Sequence, residues 1–196
     1  MGKDFMSGLR PALVLTLLFA MLLGIGYPLA MTGLAQAIFP SQANGSLIRE
    51  GDRVVGSTVL GQAFTSDRYF QTRPSAAGKG YDALASAGSN FGPTSKVLVE
   101  RITADVTARR AEGVVGPVPA DLVTASASGL DPDLSPTAAR AQVARVARVR
   151  GLPEAAVRDL VARHTRGPTL GFLGEVRVNV LALNRELDRL RGVAPR

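Results

Sequence analysis

Residues 11–39 read PALVLTLLFAMLLGIGYPLAMTGLAQAIF, a stretch without a charged side chain that precedes a polar body carrying almost every other charge. An α-helix rises about 1.5 Å per residue, so about 20 residues cross a hydrocarbon core roughly 30 Å thick. The stretch therefore predicts one transmembrane helix, assigned to residues 12–32. From Arg49 onward a charge or a Gly/Pro break recurs every few residues, so no second crossing is expected.

The charges on either side of the apolar stretch predict its orientation. Lys3 and Arg10 precede it, and the next basic residue is Arg49. Basic residues favour the cytoplasmic side of a membrane, which predicts a cytoplasmic stub over residues 1–11 and an extracytoplasmic body over residues 40–196. The expected location is the cell (inner) membrane, with a single pass.

A cleaved signal peptide is the alternative interpretation of the same stretch. Leu13–Leu23 has the length of a signal-peptide core, and Ala35-Gln36-Ala37 has the small-x-small pattern of a cleavage site. The apolar character continues through Met31 at spanning length, so we expect a retained anchor.

Composition limits the class of the body. The 196-residue chain has a net charge of +7 and no cysteine, so a disulfide-stapled domain is excluded and the body must be held by packing. A basic surface outside the membrane suits anionic lipid head groups or an acidic partner face, and no nucleic-acid partner is expected.

Local patterns predict an α+β body. Gly51-Asp52 lies at a plausible tight hairpin, further extended pieces are expected at 59–61 and 69–70, and Thr72–Thr94 has the composition of a long irregular loop. Capping residues and apolar spacing then predict four helices, which cover residues 94–110, 135–151, 152–167 and 175–191. The predicted architecture is one N-terminal transmembrane helix followed by a single extracytoplasmic mixed α/β domain.

The residues that could support catalysis are sparse. His164 is the only histidine, and the carboxylates are scattered, so zinc or iron ligands are lacking. Gly78-Lys79-Gly80 lacks the earlier glycine and the Ser/Thr of a phosphate-binding loop, and Asp131-Pro132-Asp133 lacks the later ligands of a calcium loop. The residues favour an interaction module. An independent membrane-anchored extracytoplasmic enzyme or ligand-binding protein is the alternative.

Short motifs occur in order along the whole chain: MSGLRPAL at 6–13, YPL at 27–29, QANGSLIREG at 42–51, GS at 56–57, GQ at 61–62, YF at 69–70, RPSA at 73–76, GSN at 88–90, VTASASGLD at 123–131, VNV at 178–180 and LN at 183–184. Together they closely resemble the small C subunit of the bacterial Kdp potassium-transporting P-type ATPase.

This resemblance implies a non-catalytic accessory subunit of an ATP-driven, high-affinity potassium uptake complex. Its partners would be a channel-like subunit that translocates potassium, a P-type ATPase subunit, and membrane lipid. The family is described as a catalytic chaperone that raises the ATP affinity of the ATPase subunit and is needed for assembly. The resemblance implies no cofactor of its own, with ATP used by the complex. Because the chain has no phosphate loop, we expect coupling through the transmembrane helix.

Two groups of residues are candidates for partner contact. Gly24 and Gly26 would let a neighbouring helix approach the span closely. Three polar loops form the second group, with the residues Arg73, Pro74, Ser75, Gly88, Ser89, Asn90, Ser126, Ser128, Gly129 and Asp131. Each loop residue also has a structural interpretation as a turn or capping residue, and both interpretations stay open.

Overall fold

The computed structural model describes the backbone of residues 2–191 and the side chains of residues 6–190. The chain divides into two compact units, with the division between Leu47 and Ile48. Met1 of the predicted stub, the side chain of Lys3 and residues 192–196 of the predicted body lie outside the described residues.

The first unit is a long helix followed by one short turn of helix. Helix α1 (Gly2–Met21) continues through a π-helical turn (Leu22–Gly26) into α2 (Tyr27–Ile38), and α3 (Pro40–Ala43) follows. Among the described residues, Met6–Ile38 is long and apolar enough to cross a membrane. The helix is thus longer at both ends than the predicted span of residues 12–32.

Pro28 explains the π-helical turn. Proline has no backbone N–H, and its ring clashes with the carbonyl four residues earlier, here that of Gly24. The backbone widens locally, and the N–H of Tyr27 donates to the carbonyl of Leu22, five residues back. The helix absorbs the proline without ending.

The second unit begins with the predicted hairpin. Strands β1 (Leu47–Glu50) and β2 (Arg53–Ser57) form a two-stranded sheet, and Gly51 between them has a φ of +60°. The irregular loop predicted over 72–94 is also confirmed, with one short 3-10 turn at Ala83–Ala85. The extended pieces expected at 59–61 and 69–70 do not form strands.

Two amide side chains hold the backbone at residues 70 and 71 in place of a neighbouring strand. Asn184 Oδ1 accepts the N–H of Phe70 and its Nδ2 donates to the carbonyl of Phe70, both at 2.9 Å. In the same way, Gln142 Oε1 accepts the N–H of Gln71 at 2.8 Å, and Gln142 Nε2 donates to the carbonyl of Gln71 at 3.0 Å. Both amides are buried, and these four bonds satisfy the backbone groups of the buried Phe70 and of the half-buried Gln71.

Five α-helices complete the described part of the second unit: α4 (Lys96–Ala111), α5 (Pro136–Ala141), α6 (Val143–Arg150), α7 (Glu154–His164) and α8 (Val180–Arg191). The helix predicted over 135–151 is therefore two helices with a break at Gln142. Its predicted ends are confirmed, because Ser135 Oγ accepts the N–H of Ala138 at 3.2 Å and Gly151 ends α6 with a φ of +66°.

A three-stranded antiparallel sheet lies among these helices, in the order β3 (Asp133–Leu134), β5 (Arg177–Asn179), β4 (Thr165–Arg166). Val178 of β5 is in register with Leu134 on one side and Thr165 on the other. The predicted last helix starts five residues too early because 177–179 pairs as a strand. The core joins these elements through Phe70, Leu122, Leu134, Val143, Val146, Val157, Leu160, Val161, Val178, Val180, Leu183 and Leu187.

Candidate partner-contact surfaces

The three predicted contact loops lie together in the second unit and hydrogen-bond to one another. Ser75 Oγ donates to the carbonyl of Gly129 at 2.6 Å. The carbonyl of Ser128 accepts the N–H of Ala87 at 3.0 Å and the hydroxyl of Ser86 at 2.9 Å. We call residues 73–77, 86–90 and 124–131 the loop network.

Close backbone approach explains two glycines of the loop network. Gly129 has a φ of +68°, and a Cβ there would lie 2.7 Å from both the nitrogen of Ala77 and the carbonyl oxygen of Ala87. A Cβ at Gly88 would lie 3.0 Å from the carbonyl oxygen of Ala127. The chain itself therefore requires little or no side chain at these positions.

The hydroxyl groups of Ser126 and Ser128, two of the predicted contact residues, bind backbone groups of their own loop. Ser126 Oγ accepts the N–H of Gly129 at 2.9 Å, and Ser128 Oγ accepts the N–H of Leu130 at 3.1 Å. Short polar side chains commonly stabilise turns in this way. The structural interpretation of these serines thus has direct support.

Arg73 and Asp131 form an ion pair across the loop network. The Arg73 Nη1 to Asp131 Oδ2 distance is 3.0 Å, and Arg73 Nε donates to the carbonyl of Thr124 at 3.3 Å. The other carboxylate oxygen of Asp131 accepts the N–H of Asp133 at 3.0 Å. Asn90 and Ser128 are exposed, whereas Pro74 and Ser89 are half-buried. Contact between these residues and a partner stays a prediction.

An open pocket of about 370 Å³ borders the loop network, and Pro74, Tyr81, Asp105 and Arg109 contribute to its lining. The Tyr81 hydroxyl lies within hydrogen-bond distance of Thr72 Oγ1 and of the Arg73 carbonyl. Burial raises the pKa of Tyr81, an effect that the hydrogen bond with Thr72 partly offsets. Tyr81 is therefore a neutral structural donor at physiological pH.

A second cleft, of about 590 Å³, lies beside the β3–β5–β4 sheet and is lined by Asp133, Arg166, Arg177 and Asn179, among others. Asp133 accepts from Asn179 Nδ2 at 3.1 Å and pairs with Arg177 Nε at 3.2 Å. Burial raises the pKa of the Asp133 carboxyl, against the lowering effect of the Asn179 hydrogen bond.

Metal-binding groups are not assembled in the part of the chain that the structure describes. No set of three His, Asp or Glu side chains there is arranged to hold a metal ion. Asp131 and Asp133 instead bind arginines and backbone or amide donors. His164 Nδ1 lies 3.0 Å from the carbonyl oxygen of Leu160, within its own helix, which is a structural position.

The two span glycines have open surroundings in this chain. A Cβ at Gly24 would meet no heavy atom within 4 Å, and one at Gly26 would lie 3.8 Å from the Met21 carbonyl oxygen. Gly26 also has an ordinary helical φ of −61°. Neither crowding nor backbone conformation within the chain therefore explains these glycines.

Sequence reasoning missed the connection between β4 and β5. Leu170, Phe172 and Leu173 are exposed there, although all three are large and apolar. Their clustering between Gly167-Pro168 and Gly174 is a signal that could have identified this loop, because Gly and Pro mark a turn and apolar residues are unusual on one.

Comparisons with known proteins match the chain along most of its length. The family model KdpC, described as the c chain of a K+-transporting ATPase, matches residues 9–189. A Caulobacter vibrioides protein named potassium-transporting ATPase KdpC subunit is 58% identical over 184 residues, covering 93% of each chain. Proteins of the same name from Allorhizobium ampelinum and Gemmatimonas aurantiaca are each 57% identical, over 93% and 97% of this chain and 96% of their own lengths.

Proposed function

This chain belongs to the KdpC family, the c chains of K+-transporting ATPases, and on that premise we propose that it acts as a non-catalytic accessory subunit of such a pump. Its partners would be the potassium-translocating, channel-like subunit and the P-type ATPase subunit of the same complex. It would support assembly of the complex and stimulate the ATPase subunit, with ATP used by the complex.

The observation that carries this proposal is the extent of the family match. Residues 9–189 include most of the long apolar helix and nearly all of the described body, so the family match is not confined to either part. None of the comparisons favours an independent anchored enzyme. Among the described residues, the loop at Gly78 makes a turn against Asp82 and does not form the helix-opening cradle of a phosphate loop.

We assign the coupling to the transmembrane helix. In lipid, helices associate through close packing, and small residues allow their backbones to approach. Gly24 and Gly26 leave such space at the π-helical turn, where the helix is locally widened. A packed partner helix can thus bias a conformational equilibrium of the pump without direct contact between this chain and ATP.

Glycine substitutions in the full complex test this assignment. Gly24→Leu and Gly26→Leu add volume that meets nothing prohibitive within the chain, so lost co-purification in mild detergent reports on a partner helix. We expect at least about a tenfold loss of assembled complex, the effect of about 1.4 kcal/mol.

Leu15→Ala is the matched control for these variants. It removes an exposed apolar side chain that lipid can replace, so we expect near-normal assembly. Leu22 is unsuitable, because its Cδ1 lies 4.0 Å from the Cβ position of residue 26. Normal assembly of both glycine variants, or full potassium-stimulated ATPase activity with a foreign anchor, would contradict this assignment. The helix would then serve only to anchor the body.

We also propose a retained anchor with a cytoplasmic N-terminus and an extracytoplasmic body. The distribution of basic residues on either side of the apolar stretch supports this orientation. Protease added to intact spheroplasts should digest the chain after Phe39 and spare the N-terminal segment. Mature protein beginning at Ile38 would instead identify a cleaved signal peptide.

A further inference from the structure

Helix α4 (Lys96–Ala111) lies on the body with its charged side inward. Arg101, Asp105 and Arg109 follow one another at one-turn spacing, and all three are only partly exposed. In each of them one buried side-chain atom, Nε of the arginines and Oδ2 of the aspartate, has no hydrogen-bond partner in the described chain. Buried polar atoms are normally paired, so the body satisfies this side of the helix incompletely.

The opposite side of α4 is exposed and largely apolar. Its central row, at one-turn spacing, consists of Val99, Thr103, Thr107 and Ala111, which we call the α4 row. Both threonine hydroxyls donate to a backbone carbonyl one turn earlier in the helix, each at 2.8 Å. The polar groups of the row are therefore engaged within the helix, and the row offers an apolar surface.

This arrangement is the reverse of that in an ordinary surface helix. Such a helix turns its apolar side to the core and its charged side to water. In α4 no residue is buried, and Ile102 and Val106 give only partial apolar cover beside the inward charges. An exposed apolar side on a helix of this kind marks an interaction site.

Two charged side chains, Glu100 and Arg110, flank the α4 row on the exposed side. Among the described residues, neither of them forms an ion pair. Lys96 precedes Glu100 by one turn, an order of charges that stabilises a helix less than the reverse order does. Glu112 follows Arg110 but pairs with Arg109, at 3.0 Å. One acid and one base therefore remain available beside the row.

The exposed side of α4 is symmetric about position 105. At equal distances on either side of that position lie three pairs of residues: Val99 with Ala111, Thr103 with Thr107, and Glu100 with Arg110. In an antiparallel helix related by a two-fold axis at this position, each residue comes to the level of its pair in the other copy. Apolar groups then meet apolar groups, and the free acid of each copy meets the free base of the other.

We propose that α4 packs against α4 of a second copy of this chain, antiparallel and centred on position 105. The apolar row and the two unpaired charges independently give the same centre, which a surface suited to an unrelated helix would not require. A standard interface buries about 800 Å² on each partner, more than one side of a 16-residue helix offers, so the pairing is weak and concentration-dependent. This inference goes beyond the proposed function and requires none of the other subunits.

Cysteine cross-linking tests the pairing and its direction. The chain contains no cysteine, so every disulfide reports on an introduced residue. Full-length Thr103→Cys with one affinity tag is mixed in detergent with full-length Thr107→Cys carrying a second tag, and the thiols are oxidised with copper phenanthroline. The control is Leu84→Cys, at a position that is 99% exposed in the loop over 72–94, which measures random collision.

We expect the mixed disulfide between positions 103 and 107 to exceed both the 103–103 product and the Leu84→Cys product by at least about fivefold. Glu100→Arg or Arg110→Glu alone brings like charges together and should lower the mixed product at least about threefold. Both changes in one chain should restore it. The double variant opposes the helix dipole at both ends, so a restored yield cannot come from a more stable helix.

Three outcomes would overturn the proposal. A mixed product no larger than the Leu84→Cys product would show that the α4 row is not paired. A double charge variant that fails to restore the yield would contradict the antiparallel register. A row that another subunit of the pump protects from thiol labelling, with no 103–107 disulfide, would assign it to that subunit. Co-purification with the other subunits, measured separately, tests the proposed function, which stands even if α4 does not pair.

Discussion

The loop network and the end of the β4–β5 connection, residues 169–173, both link secondary-structure elements, yet their side chains behave in opposite ways. We call residues 169–173 the hairpin tip. Ser75, Gly129 and Asp131 are polar or small residues whose groups are engaged inside the body. Leu170 and Phe172 are apolar, but they face outward. The comparison shows that polarity does not identify a free surface. A polar loop can be saturated by its own chain, whereas an exposed apolar side chain has no partner to satisfy it except an external one.

The strongest test of this comparison is a methyl group added inside the loop network. In Gly129→Ala, the new Cβ would lie 2.7 Å from two backbone atoms, at a φ of +68°. We expect the free energy of unfolding to fall by more than about 3 kcal/mol, since strain and overpacking add. Thermal unfolding of the full chain in detergent measures the change.

Gly80→Ala is the matched control. Gly80 lies in the same irregular loop with a φ of +108°, and its Cβ position is open. We expect a loss of about 1–2 kcal/mol from backbone conformation alone. Equal losses in the two variants would contradict the claim that the loop network is tightly packed.

The second test removes one amide that holds the irregular segment. Asn184→Ala leaves the N–H and carbonyl of Phe70 without their buried partner. An unsatisfied buried polar group costs about 1–3 kcal/mol, so we expect a loss of about 2–4 kcal/mol for the two. Denaturant unfolding gives the value, and the exposed Asn90→Ala serves as the reference, with a smaller loss of about 1 kcal/mol expected because alanine is unfavourable at its φ of +50°. A stable Asn184→Ala variant would mean that water or another donor replaces the amide.

The third test concerns pH and the sheet at the base of the hairpin. Burial raises the pKa of Asp133 in the folded state, so the native protein takes up this proton before the unfolded chain does as pH falls. The stability of the unmodified protein relative to Asp133→Asn should therefore increase as pH falls through the raised pKa, and decrease as pH rises. Melting temperatures of both proteins across the acid range measure the difference. If the melting temperature of the unmodified protein instead rises relative to that of Asp133→Asn as pH increases, the prediction is wrong.

The smallest effect is expected at the hairpin tip. Phe172→Ser and Leu170→Asn remove apolar groups that are exposed in the folded chain, so the free energy of unfolding should change by less than about 0.5 kcal/mol. Leu170→Asn should give a slight gain, because asparagine tolerates a positive φ. A large decrease in the free energy of unfolding of either variant would show that the tip packs against its own chain. The tip and the loop network would then not differ in the way described.

Much of the body could be predicted where local signals were strong. The glycine at position 51 fixed a hairpin, Ser135 fixed a helix start, and Gly151 fixed a helix end, because each acts through residues only a few positions away. The break at Gln142 was not predicted. Its amide holds the backbone of Gln71, a partner far away in sequence, and no local pattern announces such a contact.

The candidate contact residues show the same division. The sequence brought Arg73, Ser75, Ser126 and Asp131 to attention as polar loop residues, and the structure places them in one network. It could not reveal that Arg73 bonds to Asp131 and Ser75 to Gly129, because those partners lie 58 and 54 residues away in sequence. The hairpin tip was missed for the converse reason. Exposure of Leu170 is a property of the folded surface, and in sequence a leucine first suggests a core.

The sequence by itself determined the apolar helix, the basic balance of the chain and the family, since these depend on composition and on the order of short motifs. Only the tertiary structure decided the β3–β5–β4 sheet, whose strands have two or three residues and therefore carry no readable periodicity. It also decided that the loops of the loop network hydrogen-bond to one another and that the side chains of the turn at residues 169–173 are exposed. Those outcomes depend on distant pairs such as Phe70 with Asn184 and Asp133 with Asn179, whose contact energies appear only when the chain has folded.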